Sequence, residues 1–218
     1  MPPSSSANSW NHAKCRLPEV AAIPKLGAFT SLETASPQDW RRIMAEEQAM
    51  PYGRRTASLL MMLLREQQGD PDYGMPINTY RHALQTTTRV MQAGESEELI
   101  VCSLFHDVME KMAALSHGAA IAEILAPFVS ERTEWMLRHH PVFQLYHFTQ
   151  RPGQEREARD LFRGSPHFEF TAHYCATYDQ NSFDPDFASE PLERFLPIVE
   201  AYFERFNALS ALRTPAHP

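Results

Sequence analysis

The sequence predicts an all-α fold, a helical bundle, and three observations carry that expectation. Apolar residues recur at 3.6-residue spacing in segment after segment, the pattern of helices with one buried face. No segment shows the alternation of a half-buried strand, and there is no internal repeat. Among 218 residues glycine is scarce, at 8, and proline frequent, at 17, which fits helices separated by proline-containing loops.

The elements follow in order. Residues 1–35, rich in Ser, Pro and Ala, read as a mobile, extended N-terminal arm. Residues 36–210 read as one folded domain and 211–218 as a flexible tail. Ser36 and Pro37 look like the N-cap and first position of a helix. A helix is expected over 54–68, with Leu59, Leu60, Met62, Leu63 and Leu64 as its apolar set, stopped by Gly69-Asp70-Pro71-Asp72. Another is expected over 79–93, carrying His82 with Leu84, Thr87 and Met91, and stopped by Gly94. Ser96 then caps a helix whose first turn holds Glu97 and Glu98, where the helix dipole favours negative charge. Apolar residues at 100, 101, 104, 105, 108 and 112 extend this expected helix over 97–115. Segments 119–126, 131–138, 155–162, 168–178 and 191–206 complete the helical set.

Composition excludes several classes. The apolar fraction of 43% supports an ordinary core, and the net charge of −7 comes from interspersed charges of both signs. No run of Lys and Arg offers a track for a phosphate backbone, so no nucleic-acid partner is expected. Cys15, Cys102 and Cys175 form no CxxC pair and no disulfide framework, and the last two read as buried free thiols suited to a reducing cytoplasm. The N-terminus has no basic region followed by an apolar stretch, and no apolar run approaches the roughly 20 residues of a membrane span.

The chemistry concentrates at His106-Asp107, two metal-ligating residues inside the apolar run 99–108. An imidazole and a carboxylate are costly to bury unless each has a partner, and a divalent metal would satisfy both. His82 lies upstream; His117, the pair His139-His140 and Asp179 lie downstream, each on or beside a different expected helix. Such a set suits a metal site in a bundle, where ligands converge from several helices. Six ligands exceed one tetrahedral zinc and suit two ions, with Asp107 bridging. One ion would take His82, His106 and Asp179, the other His117 and His140 or its neighbour His139. Imidazole with carboxylate suits Fe, Mn, Co, Ni or Zn better than Ca or Mg.

The ordered pattern H…HD…D with further histidines resembles the HD-domain superfamily, over roughly residues 73–206. His82-Ala83-Leu84-Gln85-Thr86 looks like the first-histidine helix of HD-domain mixed-valent diiron oxygenases, the group of myo-inositol oxygenase and the phosphonate-cleaving enzymes. The segment His117 to Leu125 looks like their third-histidine segment, and Trp135 to His140 like the fourth, with His140 in the ligand position. The stretch 178–187 is similar to that of predicted HD phosphohydrolases. The resemblance implies an HD-domain helical bundle holding two metal ions, mixed-valent iron first and Mn, Zn or Mg as alternatives. It implies a diiron oxygenase acting with O2 on a small polar organic substrate, as a monomer or homodimer. The alternative is a metal-dependent phosphohydrolase of a small phosphate ester or nucleotide. Asp107, Glu110 and Lys111 take the catalytic positions, and Glu110, Lys111, Gln144 and Tyr73 those of substrate contacts. Phosphonate-cleaving relatives carry cationic residues where this chain has Glu110 and Gln144. An acid and an amide replace those clamps poorly, which favours a cationic or polyhydroxy substrate. Glu110 is expected to share the metal-facing side of the Asp107 helix, three residues on.

Overall fold

A computed structural model of the chain describes residues 29–153, 155–208 and 211–212. The expected arm therefore lies outside the described residues up to position 28, as does the tail from 213. Among the described residues there are eight α-helices and no strand, so the all-α expectation holds. None of these helices is long and apolar enough to cross a membrane. The described residues divide after Met50 into two units.

In the first unit, α1 spans Pro37–Ala49. Its start is as the sequence indicates. Ser36 Oγ accepts from the Asp39 amide at 3.2 Å, Asp39 Oδ2 accepts from the Ser36 amide at 2.9 Å, and Pro37 occupies the first turn.

The second unit holds α2 (Tyr52–Glu66), α3 (Thr79–Gln92), α4 (Glu97–Phe105), α5 (His117–Leu125), α6 (Glu131–Gln144), α7 (Phe168–Thr177) and α8 (Leu192–Glu204). At its centre is α4, where every residue from Leu99 to Phe105 is buried. A helix apolar all round has no solvent face, and α4 packs against α3, α6 and α8. On α3 the residues Thr86, Thr87 and Thr88 are all buried. Each hydroxyl donates to the carbonyl four residues back, at 3.0, 2.7 and 2.7 Å, so no hydroxyl is stranded. Around this core α5 packs on α6, α6 on α7 and α2 on α8. The start of α2 is closed from the other end of the unit. The Gly53 amide donates to the Phe206 carbonyl at 3.1 Å and the Arg54 amide to Asn207 Oδ1 at 2.9 Å.

Three expected helices are corrected. The helix expected over 97–115 stops at Phe105, and residues 106–116 run as successive turns. Periodicity misleads there because Val108 is buried from a turn while Met112, counted as core, is exposed. The helix expected to end at 138 runs to Gln144 through Pro141. The segment 155–162 forms a 3-10 helix, Arg156–Phe162, instead of an α-helix. Cys102 and Cys175 are buried free thiols, as expected.

Helix α2 approaches α8 so closely that a Cβ on Gly53 would run into the Phe203 carbonyl oxygen, whereas one on Gly69 would meet nothing within 4 Å. Gly53→Ala is expected to destabilise the fold by about 1–3 kcal/mol, and Gly69→Ala to stay within about 0.5 kcal/mol of the parent. Equal denaturation midpoints for the two variants would show that the α2–α8 contact is not tight.

Candidate metal centre

Five segments deliver six side chains to one place. His82 comes from the first turn of α3, His106 from the end of α4 and Asp107 from the turn after it. His117 is the first residue of α5, His140 lies in the last turns of α6, and Asp179 opens the short 3-10 turn after α7. Adjacent residues on an α-helix point about 100° apart. Because α4 ends at Phe105, His106 and Asp107 are free to aim at a common point, with His106 Nε2 and Asp107 Oδ2 3.2 Å apart.

Asp107 is the hub. Its Oδ2 lies 3.2 Å from His106 Nε2 and 3.5 Å from His82 Nε2, while its Oδ1 lies 3.1 Å from His140 Nε2 and 3.2 Å from His117 Nε2. Asp179 Oδ1 lies on the first side, 3.2 Å from His82 Nε2 and 3.8 Å from His106 Nε2. Three overlapping triads, His82/His106/Asp107, His106/His140/Asp179 and Asp107/His117/His140, each have ligand atoms within 4.8 Å of one another, a spacing that a metal ion can span.

The ring orientations fit a metal. Each of the four imidazoles places Nδ1 on a backbone carbonyl: His82 on Ser182 at 2.9 Å, His106 on Ser103 at 2.8 Å, His140 on Leu137 at 2.7 Å and His117 on Ala114 at 3.4 Å. A carbonyl only accepts, so Nδ1 carries the proton and Nε2 turns inward as the ligating nitrogen. His82 Nε2 and His106 Nε2 then face each other at 3.1 Å. Two such nitrogens need a proton or a cation between them. Asp179 Oδ2 is buried with no hydrogen-bond partner, a position a cation would also satisfy.

Pro141 has a part in this geometry. Having no N–H, it cannot bond the carbonyl of Leu137 four residues back, and that carbonyl instead receives His140 Nδ1. The neighbouring α5–α6 contact is equally close, since a Cβ on Gly118 would sit 2.8 Å from the Leu137 oxygen and from Pro141 Cγ. That approach brings His117 alongside His140, with ring centroids 5.2 Å apart. Its neighbour His139 turns away. It stacks on Trp135 at 4.0 Å and bonds the Trp135 carbonyl, so His140 is the one that joins the cluster.

The electrostatics follow from packing two acids among four imidazoles. Burial pushes the Asp107 carboxyl up, but His106, His117 and His140 outweigh it and hold it well below the usual carboxylate range. Asp179 is likewise raised by burial and lowered more by His106 and His82. Burial pushes His106 and His117 down, while Asp107, joined at His106 by Asp179, more than reverses this and raises both.

The cluster opens into a cavity of about 750 Å³ lined by all the cluster residues except His106, a size in the range of small-molecule sites. The other expected site residues sit on its wall with specific partners. Gln144 is buried and its Nε2 donates to Asp179 Oδ1 at 2.8 Å, so it holds a cluster carboxylate. Lys111 Nζ is engaged by Asp70 Oδ1 at 2.7 Å. Glu110 does not stand on a helix face as expected; it lies in the turn after Asp107, is exposed, and accepts from Thr79 Oγ1 at 3.1 Å. Tyr73 is exposed at the mouth with φ of 52° beside Gly74 at 86°. Sequence reasoning missed Asp70, Thr79, Pro141 and Phe183, which stacks on His82 at 4.5 Å. The only signal for Phe183 was its closeness to Asp179 in the chain. No family model matches the chain, and no curated protein matches it.

Two expectations follow. In metal-free protein the raised histidines contribute stability that is full below about pH 6.5 and is lost as pH rises through their folded values. The lowered carboxylates contribute stability that is full above about pH 4 and is lost as pH falls. The thermal midpoint of stripped protein should therefore be highest within that window, and added metal should stabilise more as pH rises above it, because metal displaces protons. A metal effect independent of pH would contradict this. Pro141→Ala restores a competing N–H at the Leu137 carbonyl, and should weaken metal affinity about tenfold while the fold stays intact; unchanged affinity by metal titration would remove Pro141 from the site.

Proposed function

We propose that this chain is a dinuclear metalloenzyme, a diiron oxygenase of the HD-domain kind acting on a small polar organic substrate with O2. One observation carries the two-ion reading: the two oxygens of Asp107 face separate histidine pairs, His82 with His106 and His117 with His140. A carboxylate so divided suits a bridge, with Asp179 on the first side. A mixed-valent iron pair would supply the reduction of O2 and the oxidation of a substrate carbon.

The residues of the chain do the rest. The carbonyl-anchored imidazoles fix ligand direction. Gln144 holds Asp179 in place. Ile77, Leu145, Phe148 and Phe183 line the cavity and limit water at the cluster. Glu110, in the turn three residues past Asp107, is placed to accept a proton or a hydrogen bond from bound substrate.

The second reading, a phosphohydrolase, is favoured by that exposed carboxylate, which could serve as base toward an attacking water. The charges of the cavity weigh against it. Its lysine is engaged by Asp70, and among the described residues Arg151 is the one other Lys or Arg on the wall.

Metal analysis, EPR and turnover decide between them. The expected result is two irons per chain, a mixed-valence signal after partial reduction, and substrate-dependent O2 uptake. Asp107→Ala should lose both ions, and His117→Ala mainly one. Hydrolysis of phosphate esters with a redox-silent metal, and no O2 uptake, would establish the second reading; two metals retained in Asp107→Ala would exclude the bridge.

A further inference from the structure

We infer that the cavity recognises an organic ammonium ion, held at Glu110, as the substrate class of the metal centre; this rests on the metal-centre reading above. The argument begins with charge. Beyond the cluster itself, the cavity wall carries Asp70, Asp72, Glu110, Lys111 and Arg151. Lys111 and Asp70 neutralise each other at 2.7 Å. Asp72 Oδ1 accepts from the Gly74 amide at 3.1 Å and so shapes the loop. Arg151 lies over the Phe148 ring, 5.3 Å from its centroid.

Glu110 is different. Among the described residues no Lys, Arg or His pairs with it, and it accepts only from Thr79, through Oε2. That hydroxyl orients an exposed carboxylate that lines the cavity, and leaves Oε1 for a ligand. The Glu110 amide donates to the Asp107 carbonyl at 2.9 Å, which keeps it beside the cluster. A ligand end facing Glu110 meets a carboxylate that no Lys, Arg or His of the described residues pairs.

A cation is the best match to that carboxylate. Hydrogen bonds to a carboxylate from a charged donor are stronger than those from a hydroxyl, and apolar walls lower the competing screening by water. Those walls are present. Ile77, Leu145 and Phe148 line the interior. At the mouth, Tyr73, Met75 and Leu115 expose apolar surface at 75%, 46% and 104%. Side chains of this kind left bare around a cavity suit the carbon skeleton of a ligand. The ligand is therefore an ammonium group on a partly apolar frame.

The test uses two probes of one shape, 2-phenylethylammonium and 2-phenylethanol, titrated by ligand-observed NMR into zinc-loaded full-length protein, with zinc content measured in parallel. The expected result is about tenfold tighter binding of the ammonium, abolished in Glu110→Gln while zinc content stays unchanged. Equal binding of the two probes, or a preference that survives Glu110→Gln, overturns the inference and leaves the metal centre standing. A protein that takes up no zinc overturns the metal-centre reading on which it rests.

Discussion

Everything in the second unit is arranged around one carboxylate that four imidazoles share. Asp107 sets two histidine nitrogens against each of its oxygens, all within 3.5 Å. An ionised acid removed from water is unfavourable by several kcal/mol unless its lone pairs are occupied. The fold occupies them by converging α3, α4, α5 and α6 on a single point, with Asp179 added after α7. No two neighbouring helices could do this alone. The sequence distance from His82 to Asp179 spans most of the unit, so the centre forms only when the whole helical set is in place.

The packing shows how that convergence is secured. Helix α4 is buried on every side, which fixes its position against three neighbours. Its early end releases His106 and Asp107 into turns where both can point inward. Gly118 allows α5 to lie against α6 at backbone distance, and this sets His117 beside His140. Gln144, one turn on from His140, reaches across to Asp179. Apolar packing decides where the helices lie, and a few small or irregular residues decide where the ligands aim.

Much of this was legible in the sequence. Periodicity located the helices because a buried face leaves a 3.6-residue imprint, and caps such as Ser36, Ser96 and Gly94 marked their ends. The six cluster residues stood out because His and Asp are costly in apolar runs. The end of α4 was not legible, since Val108 prolongs the apolar pattern although it is buried from a turn. The second half of α6 was hidden by Pro141, which usually ends a helix and here lies inside one. Partners distant in the chain, such as Asp70 for Lys111 and Thr79 for Glu110, have no local signature at all. They are chosen by the fold, as is the contact of Gln144 with Asp179.

The carbonyl anchoring of the histidines has a consequence for how this site can vary through evolution. The groups that orient the four rings are the main-chain oxygens of Ser103, Ala114, Leu137 and Ser182. Every amino acid supplies such an oxygen, so replacing any of these four side chains leaves the acceptor in place. A centre tuned by outer carboxylates can be lost through one substitution in each. Here drift at the four anchoring positions is buffered, and ring orientation is inherited with the path of the backbone. The durable constraint then falls on residues that steer that path, such as Gly118 and Pro141, which ligate nothing themselves.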